Sequence, residues 1–215
     1  MPSPLLSAAL QGLALGFALI VAIGAQNAYV LRCGLARRHV LPVVLLCACS
    51  DAVLIAAGCL GLGTLIGGSP GLLRLVAAGG TAFLAWYGVQ ALRRSLAPGA
   101  LDAAEAVPAS RAAVPASQAA ALAAAAAFTW LNPHVFLDTV VLVGGISAQF
   151  QGMDRLSFAV GAAAASFIWF VLLGFGARVL TPLFARPAAW RILDFLIALI
   201  MFAIASPLAL QAWQG

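Results

Sequence analysis

Charge is scarce in this chain of 215 residues. Only 8% of the residues are charged, lysine is absent, and all eleven basic residues are arginine. Soluble domains carry roughly a quarter charged residues, whereas 64% of this chain is hydrophobic and the mean hydropathy is +1.09. These values exclude an ordinary soluble domain and predict an integral membrane protein in contact with the lipid bilayer.

Common enzyme and metal motifs are also missing. The chain has no H-E-x-x-H and no C-x-x-C, and its histidines are His39 and His134 alone. A membrane-embedded hydrolase, for which no Ser-His-Asp set can be assembled, is therefore the weakest alternative, and we predict no enzyme, cofactor or metal centre. Cys47 and Asp51 share a helix face, which keeps export of a soft or divalent metal open, but Cys49 is rotated about 200° from Cys47.

Long apolar runs dominate the rest of the chain. Each of six runs has the roughly 20 residues of a membrane-spanning helix, and none shows the period-two alternation of barrel strands. The runs are 5–31, 40–67, 71–92, 118–150, 156–177 and 195–213. The sequence thus predicts an all-α integral membrane protein with six transmembrane helices.

The arginines lie between the apolar runs. Nine of the eleven fall in the first, third and fifth connections, and Arg74 and Arg155 fall elsewhere. By the positive-inside rule the odd-numbered connections are cytoplasmic and both termini lie outside. The basic residues form no polar face, which argues against a nucleic-acid partner. The first eleven residues lack Lys and Arg, so we expect a retained helix instead of a cleaved signal peptide.

A polar, proline-containing linker at 93–117 divides the chain into two halves, 1–92 and 118–215. Each half carries three apolar runs, and an odd number of spans inserts a duplicated half upside down. The layout predicts two inverted three-helix repeats joined by a cytoplasmic linker, as in many secondary transporters.

The first helix of each half contains polar residues at a point of weak helix formation. Residues 24–27 read Gly-Ala-Gln-Asn and residues 130–134 read Trp-Leu-Asn-Pro-His. Pro133 removes a backbone donor, so we expect helices 1 and 4 to be broken and to form a binding site near the midplane. Trp130 is a candidate for a cation-π contact with substrate. The alternative is that the amides only join helices by hydrogen bonds.

Two aspartates lie inside apolar runs. A carboxylate at the bilayer centre costs about 2.5 to 3.5 kcal/mol, so Asp51 and Asp138 indicate a transporter of protons or cations. Asp51 lies roughly 17 Å into its helix. His134 and Asp138 are four residues apart and suit a proton relay, the alternative being a structural histidine. Asp194 is expected to cap a helix or to pair with Arg191.

These motifs resemble those of the LysE/ArgO family of basic amino-acid exporters. The resemblance rests on Gly-Ala-Gln-Asn at 24–27, the Arg37-Arg38 pair, Ser50-Asp51, and Leu-Asn-Pro-His at 131–134 followed by Asp138. It covers essentially the whole chain. Neutral amino-acid exporters of the same superfamily typically carry Pro-Gly-Pro-Asn in place of Gly-Ala-Gln-Asn.

The resemblance implies efflux of L-lysine or L-arginine across the bacterial inner membrane, driven by the proton or electrochemical gradient. Basic amino acids and protons are then the partners, and a homo-oligomer is compatible with the sequence. Divalent-metal export within the same superfamily and a passive channel are the alternatives. The expected substrate- and proton-binding residues are Asp51, Asp138, Gln26, Asn27, Asn132, Pro133, His134 and Trp130.

Overall fold

The computed structural model describes residues 3–21, 24–61, 70–96, 114–185 and 187–214, and every regular element in these ranges is helical. Nine α-helices are numbered in chain order, with a π-helix, Leu137–Val143, between α6 and α7. They are α1 Pro4–Ile20, α2 Ala25–Ala36, α3 Val40–Cys59, α4 Pro70–Leu96, α5 Gln118–Trp130, α6 Pro133–Phe136, α7 Gly144–Ser147, α8 Gly152–Gly176 and α9 Pro187–Gln214. Short 3-10 turns, Ala177–Leu180 and Leu183–Ala185, connect α8 to α9.

The first and fourth apolar runs are both interrupted, as the sequence predicts. The axes of α1 and α2 differ by 83°. In the fourth run α5 ends at Trp130 and α6 begins at Pro133, which supplies no backbone N–H at a position where none is needed. The chain then widens into the π-helix, a feature often found at functional sites. The breaks therefore occur at the two polar motifs.

α1 and α2 follow α8 from its beginning towards its end. A Cβ on Gly12 would meet the backbone of Phe158, and one on Gly34 would meet the backbone of Gly174. Only glycine allows backbones to approach this closely. The contacts of α1 and then α2 thus advance along α8 from its beginning towards its end.

The other broken segment follows α3 in the same way. The Trp130 indole donates a hydrogen bond to Ser50 Oγ at 3.1 Å. Further along, a Cβ on Gly144 would lie 2.6 Å from the Gly58 carbonyl oxygen. α5, α6 and α7 therefore advance with α3. α4 and α9 pack antiparallel to each other, because Ser95 contacts Arg191 whereas the earlier Gly88 lies against the later Met201.

The bundle is that of a membrane protein. Three described segments are long and apolar enough to cross a bilayer, Val40–Cys59, Gly152–Leu180 and Ala188–Pro207, and the α1–α2 pair is a fourth if it counts as one bent span. Many large apolar side chains, including Val53 at 57% exposed, face outward. Lipid is the solvent that such a surface needs. The predicted all-α membrane class is confirmed.

Two predicted helix boundaries are wrong. α9 begins at Pro187 instead of residue 195, and α4 continues to Leu96 instead of ending at 92. Arginines at helix ends do not stop a helix, because their long side chains reach polar surroundings while the backbone stays helical. Positions 62–67 of the second run and 97–113 of the linker lie outside the described residues.

Candidate functional site

A cavity of about 520 Å³ lies between the two helix breaks, a volume within the usual range for small-molecule sites. Its polar lining comes from both halves of the chain, and the remainder is aliphatic or glycine. The polar lining residues are Gln26, Asn27, Asp51, Asn132, Asp138, Thr139 and Ser166. Five of the predicted site residues therefore meet at one cavity, and among its described lining residues none is Lys or Arg.

Asp51 projects from the middle of α3 and is 4% exposed. Its Oδ2 accepts a hydrogen bond from the Ser166 hydroxyl of α8 at 3.1 Å. Its Oδ1 is buried beside Gln26, and neither Oδ1 nor Gln26 Nε2 makes a hydrogen bond of normal geometry within the described part of the chain. A carboxylate at a cavity, with one oxygen held by a hydroxyl and the other without a donor in the described part of the chain, is suited to accept a cationic donor.

Asp138 lies in the first turn of the π-helix and is half-buried. Its position in the wider turn places it on the same cavity as Asp51, although the two residues come from different halves of the chain. The two aspartates thus line one cavity. Two carboxylates at such a site provide the charge that a desolvated cation requires.

Asn27 bridges the first helix break. Its Nδ2 donates to the carbonyl oxygen of Ile20, the last residue of α1, at 2.7 Å. Its Oδ1 accepts from Trp169 Nε1 at 3.2 Å. The amide thereby satisfies a carbonyl that the end of α1 leaves without an intrahelical donor. Asn132, 6% exposed, occupies the second break.

The three remaining predicted site residues are Trp130, Pro133 and His134. Trp130 points towards Ser50, with its ring centroid 6.2 Å from that of Phe136, and is not among the residues that line the cavity. Pro133 and His134 belong to α6, but their side chains lie outside the described part of the structure. The proton relay between His134 and Asp138 therefore stays a prediction.

The prediction for Asp194 is wrong. This carboxylate is 5% exposed and accepts from both Nη atoms of Arg32, with a 3.2 Å distance from Nη2 to Oδ2. The Nε of Arg94 donates to Oδ1 at 3.2 Å, while Arg191 donates to the Ser95 carbonyl instead. Because α9 begins eight residues before the predicted start, Asp194 lies inside the helix and faces α2 and α4. Arg32 is likewise buried instead of being a free arginine of the first connection.

Ser166 and Trp169 are site-forming residues that sequence reasoning missed. Ser166 is the first polar residue after a run of four alanines in α8, and Trp169 follows it by three positions, on the same helix face. This spacing of three residues is the sequence signal from which a polar face of α8 could have been predicted.

The cysteines do not form a metal centre in the described part of the chain. No group of three or more His, Cys, Asp or Glu side chains that could hold a metal ion occurs there. Cys47 is fully buried in the hydrophobic core between the helices, and Cys49 is exposed on the opposite face of α3. The side-chain hydrogen bond of Asp51 comes from the Ser166 hydroxyl.

These features define a multi-pass helical membrane protein with a polar cavity between two broken helices, which is the arrangement of a transporter. The model of the LysE type translocator family matches residues 17–212, and the chain belongs to this family. It is accordingly a translocator and not an enzyme.

Curated relatives cover nearly the whole chain. "Arginine exporter protein ArgO" of Pectobacterium atrosepticum is 41% identical over 206 residues, which is 95% of this chain and 98% of the relative. The protein of the same name in Salmonella schwarzengrund is 42% identical over 93% of this chain and 92% of the relative. "Putative amino-acid transporter Rv0488" of Mycobacterium tuberculosis is 45% identical over 86% and 88%. No solved structure shows significant similarity to the chain.

Proposed function

We propose that the protein exports L-arginine, L-lysine or both across the bacterial inner membrane by secondary active transport driven by the proton or electrochemical gradient. The observation that carries the proposal is the meeting of Asp51 and Asp138 at one cavity whose described lining contains no basic residue. A guanidinium or ammonium group entering this space exchanges water for carboxylates. The names of the relatives support an amino-acid substrate, and arginine in particular.

The first helix break supplies the other half of amino-acid recognition. α2 begins beside the cavity at Gly24, Ala25 and Gln26, and Gly24 makes no side-chain cap to the helix. The first N–H groups of a helix have no acceptor within the helix, and together with the positive end of the helix dipole they suit the carboxylate of the substrate. We place the cationic end of the substrate against Asp51 and Asp138 and its carboxylate at the start of α2.

We further propose the six-span layout of two inverted repeats, 1–92 and 118–215, joined by the linker at 93–117. Gly58 of α3 in the first half contacts Gly144 beyond the break of the second half, and Gly174 of α8 in the second half contacts Gly34 beyond the break of the first half. These are equivalent contacts if the halves are exchanged. The arginine distribution then makes the odd-numbered connections cytoplasmic and leaves both termini outside.

The test uses inside-out membrane vesicles, in which export is measured as uptake. Labelled arginine and lysine are supplied under an imposed pH gradient to the wild type, Asp51→Asn, Asp138→Asn and, as control, Asp154→Asn. Asp154 lies in the first turn of α8, away from the cavity lining. We expect gradient-dependent uptake by the wild type and control and its loss in the two cavity variants.

Two results would contradict the proposal. One is normal arginine uptake by both cavity variants, which would remove them from the site. The other is uptake of cadmium or zinc without uptake of either amino acid, which would establish the metal-exporter alternative. Gradient-independent flux in both directions would instead identify a channel.

A further inference from the structure

The end of the bundle that carries most arginines contains a buried ion cluster. Arg32 of α2 is 1% exposed and pairs with Asp194 of α9, and Arg94 of α4 joins the same carboxylate. The cluster therefore links the two halves of the chain. We call these three side chains the arginine–aspartate cluster.

An aromatic layer lies next to this cluster. The ring centroid of Phe128 in α5 is 5.1 Å from that of Tyr29 and 4.8 Å from those of Tyr87 and Phe83. The Arg94 guanidinium carbon is 5.6 Å from the centre of the Tyr87 ring. Tyr29 lies between the cavity residue Gln26 and the cluster along α2. The aromatic layer and the cluster lie one after the other on the same side of the cavity.

The cavity extends away from this end. Its lining on α9 is Ala203, Ile204 and Pro207, and Asp194 precedes Ala203 by nine residues, or about 13 Å along the helix. On α3 the lining residues are Asp51 and Ile55, which lie beyond the half of the helix that begins at the arginine-rich turn. The cluster therefore lies between the arginine-rich end of the bundle and the cavity.

The cluster also holds more positive than negative charge. Two arginines share one carboxylate, and Arg32 Nε and Arg94 Nη2 have no hydrogen-bond partner in the described part of the chain. Separating the pair would leave a buried Asp194 without a counter-charge, which is strongly unfavourable. When the guanidinium or ammonium group of a substrate replaces an arginine, this penalty is removed, because Asp194 keeps a positively charged partner throughout.

We propose that the arginine–aspartate cluster is the gate at this end and that Asp194 is a transient binding site for the cationic side chain of an entering basic amino acid. The inference rests on the proposed function for its substrate class. A cation releases the gate by competing for Asp194, whereas a neutral amino acid does not. The proposal that this ion pair between the halves is a gate rests on the observed contacts and does not depend on the substrate.

Cys33 provides a native reporter of this gate. It follows Arg32 directly, is fully buried and packs in the same core as the aromatic layer. Cys59 is a matched reporter, buried with Ile55 and Phe158 near the other end of α3. Variants that keep only Cys33 or only Cys59 allow the two ends to be labelled separately with a hydrophilic maleimide, Cys33 in inside-out vesicles and Cys59 in right-side-out vesicles.

Asp194→Asn is expected to accelerate labelling of Cys33 by about tenfold. A tenfold change corresponds to a loss of about 1.4 kcal/mol from the free energy that favours the closed over the open gate. Arg191→Gln, which removes an arginine bonded to the Ser95 carbonyl, is expected to leave the rate unchanged. Asp194→Glu retains the charge and should label slowly. In the wild type, arginine should accelerate labelling of Cys33 several-fold, and citrulline, its neutral analogue, should not.

Three outcomes would overturn the proposal. Equal labelling of Cys33 in the wild type and Asp194→Asn would show that the cluster closes nothing. Acceleration at both Cys33 and Cys59 would show general loosening of the fold. Labelling of Cys33 that arginine leaves unchanged, in vesicles that transport arginine, would refute Asp194 as a substrate site while leaving the proposed function intact. The comparison of wild type with Asp194→Asn needs no transport, so it tests the gate even if arginine export fails.

Discussion

Replacing Asp51 by asparagine separates the role of its charge from the role of its shape. Asparagine keeps the size of the side chain and an oxygen that accepts the Ser166 hydroxyl, now at 3.1 Å from Oδ2. It removes the negative charge that the proposed substrate cation requires. Binding and stability should therefore respond in opposite directions.

The magnitude follows from the electrostatics of a partly desolvated pair. Two unit charges at about 4 Å interact by about 4 kcal/mol at an effective dielectric constant of 20, and truncating one partner of a buried charge pair typically costs about 2 to 5 kcal/mol. We adopt the lower bound of about 2 kcal/mol, because Asp138 still faces the cavity. Asp51→Asn should thus weaken arginine binding by roughly 30-fold.

Stability is expected to stay equal or to rise. Asp51 is 4% exposed, and burying a neutral amide costs less free energy than burying a carboxylate. The assay is arginine binding to the purified protein in detergent by calorimetry, together with the thermal midpoint of unfolding without substrate. Binding within threefold of wild type, or lost binding together with a lower midpoint, would refute this reasoning.

Two further predictions concern the supports of the cavity. Gly144→Ala should lower the thermal midpoint, because its Cβ would lie 2.6 Å from the Gly58 carbonyl oxygen, whereas Gly145→Ala meets open space and should not; equal midpoints would exclude the close contact. Trp169→Phe removes the indole donor to Asn27 and should weaken arginine binding by about two- to tenfold, the worth of one hydrogen bond. Unchanged binding in Trp169→Phe would show that Asn27 needs no external support.

The residues of the cavity could be predicted where burying a polar group is costly. Asp51 and the amides at the two breaks stand out because apolar runs rarely contain such groups without a reason. Asp138 was predicted on the same grounds. Its position at the cavity depends on the π-helix, and the sequence of Leu137–Val143 contains no signal that predicts a wider helical turn. The sequence identified the groups and not their mutual arrangement.

The ion cluster could not be predicted because it depends on long-range packing. Arg32 and Asp194 are 162 positions apart, and their pairing requires both the true start of α9 and the rotation of α2. Arg191, three residues before Asp194, offered a local partner that helix geometry made plausible. Ser166 was missed for a related reason, since isolated serines in apolar helices are common and carry little information about their partners.

The central claim is that the cavity carboxylates select a cationic amino acid, and exchange in proteoliposomes tests it most directly. Vesicles containing the purified protein and loaded with unlabelled arginine are presented with labelled arginine or labelled citrulline, which has nearly the same shape and no side-chain charge. The account predicts rapid exchange of arginine and exchange of citrulline at least about 100-fold slower, a difference of about 2.7 kcal/mol. Equal exchange of the two amino acids would contradict it.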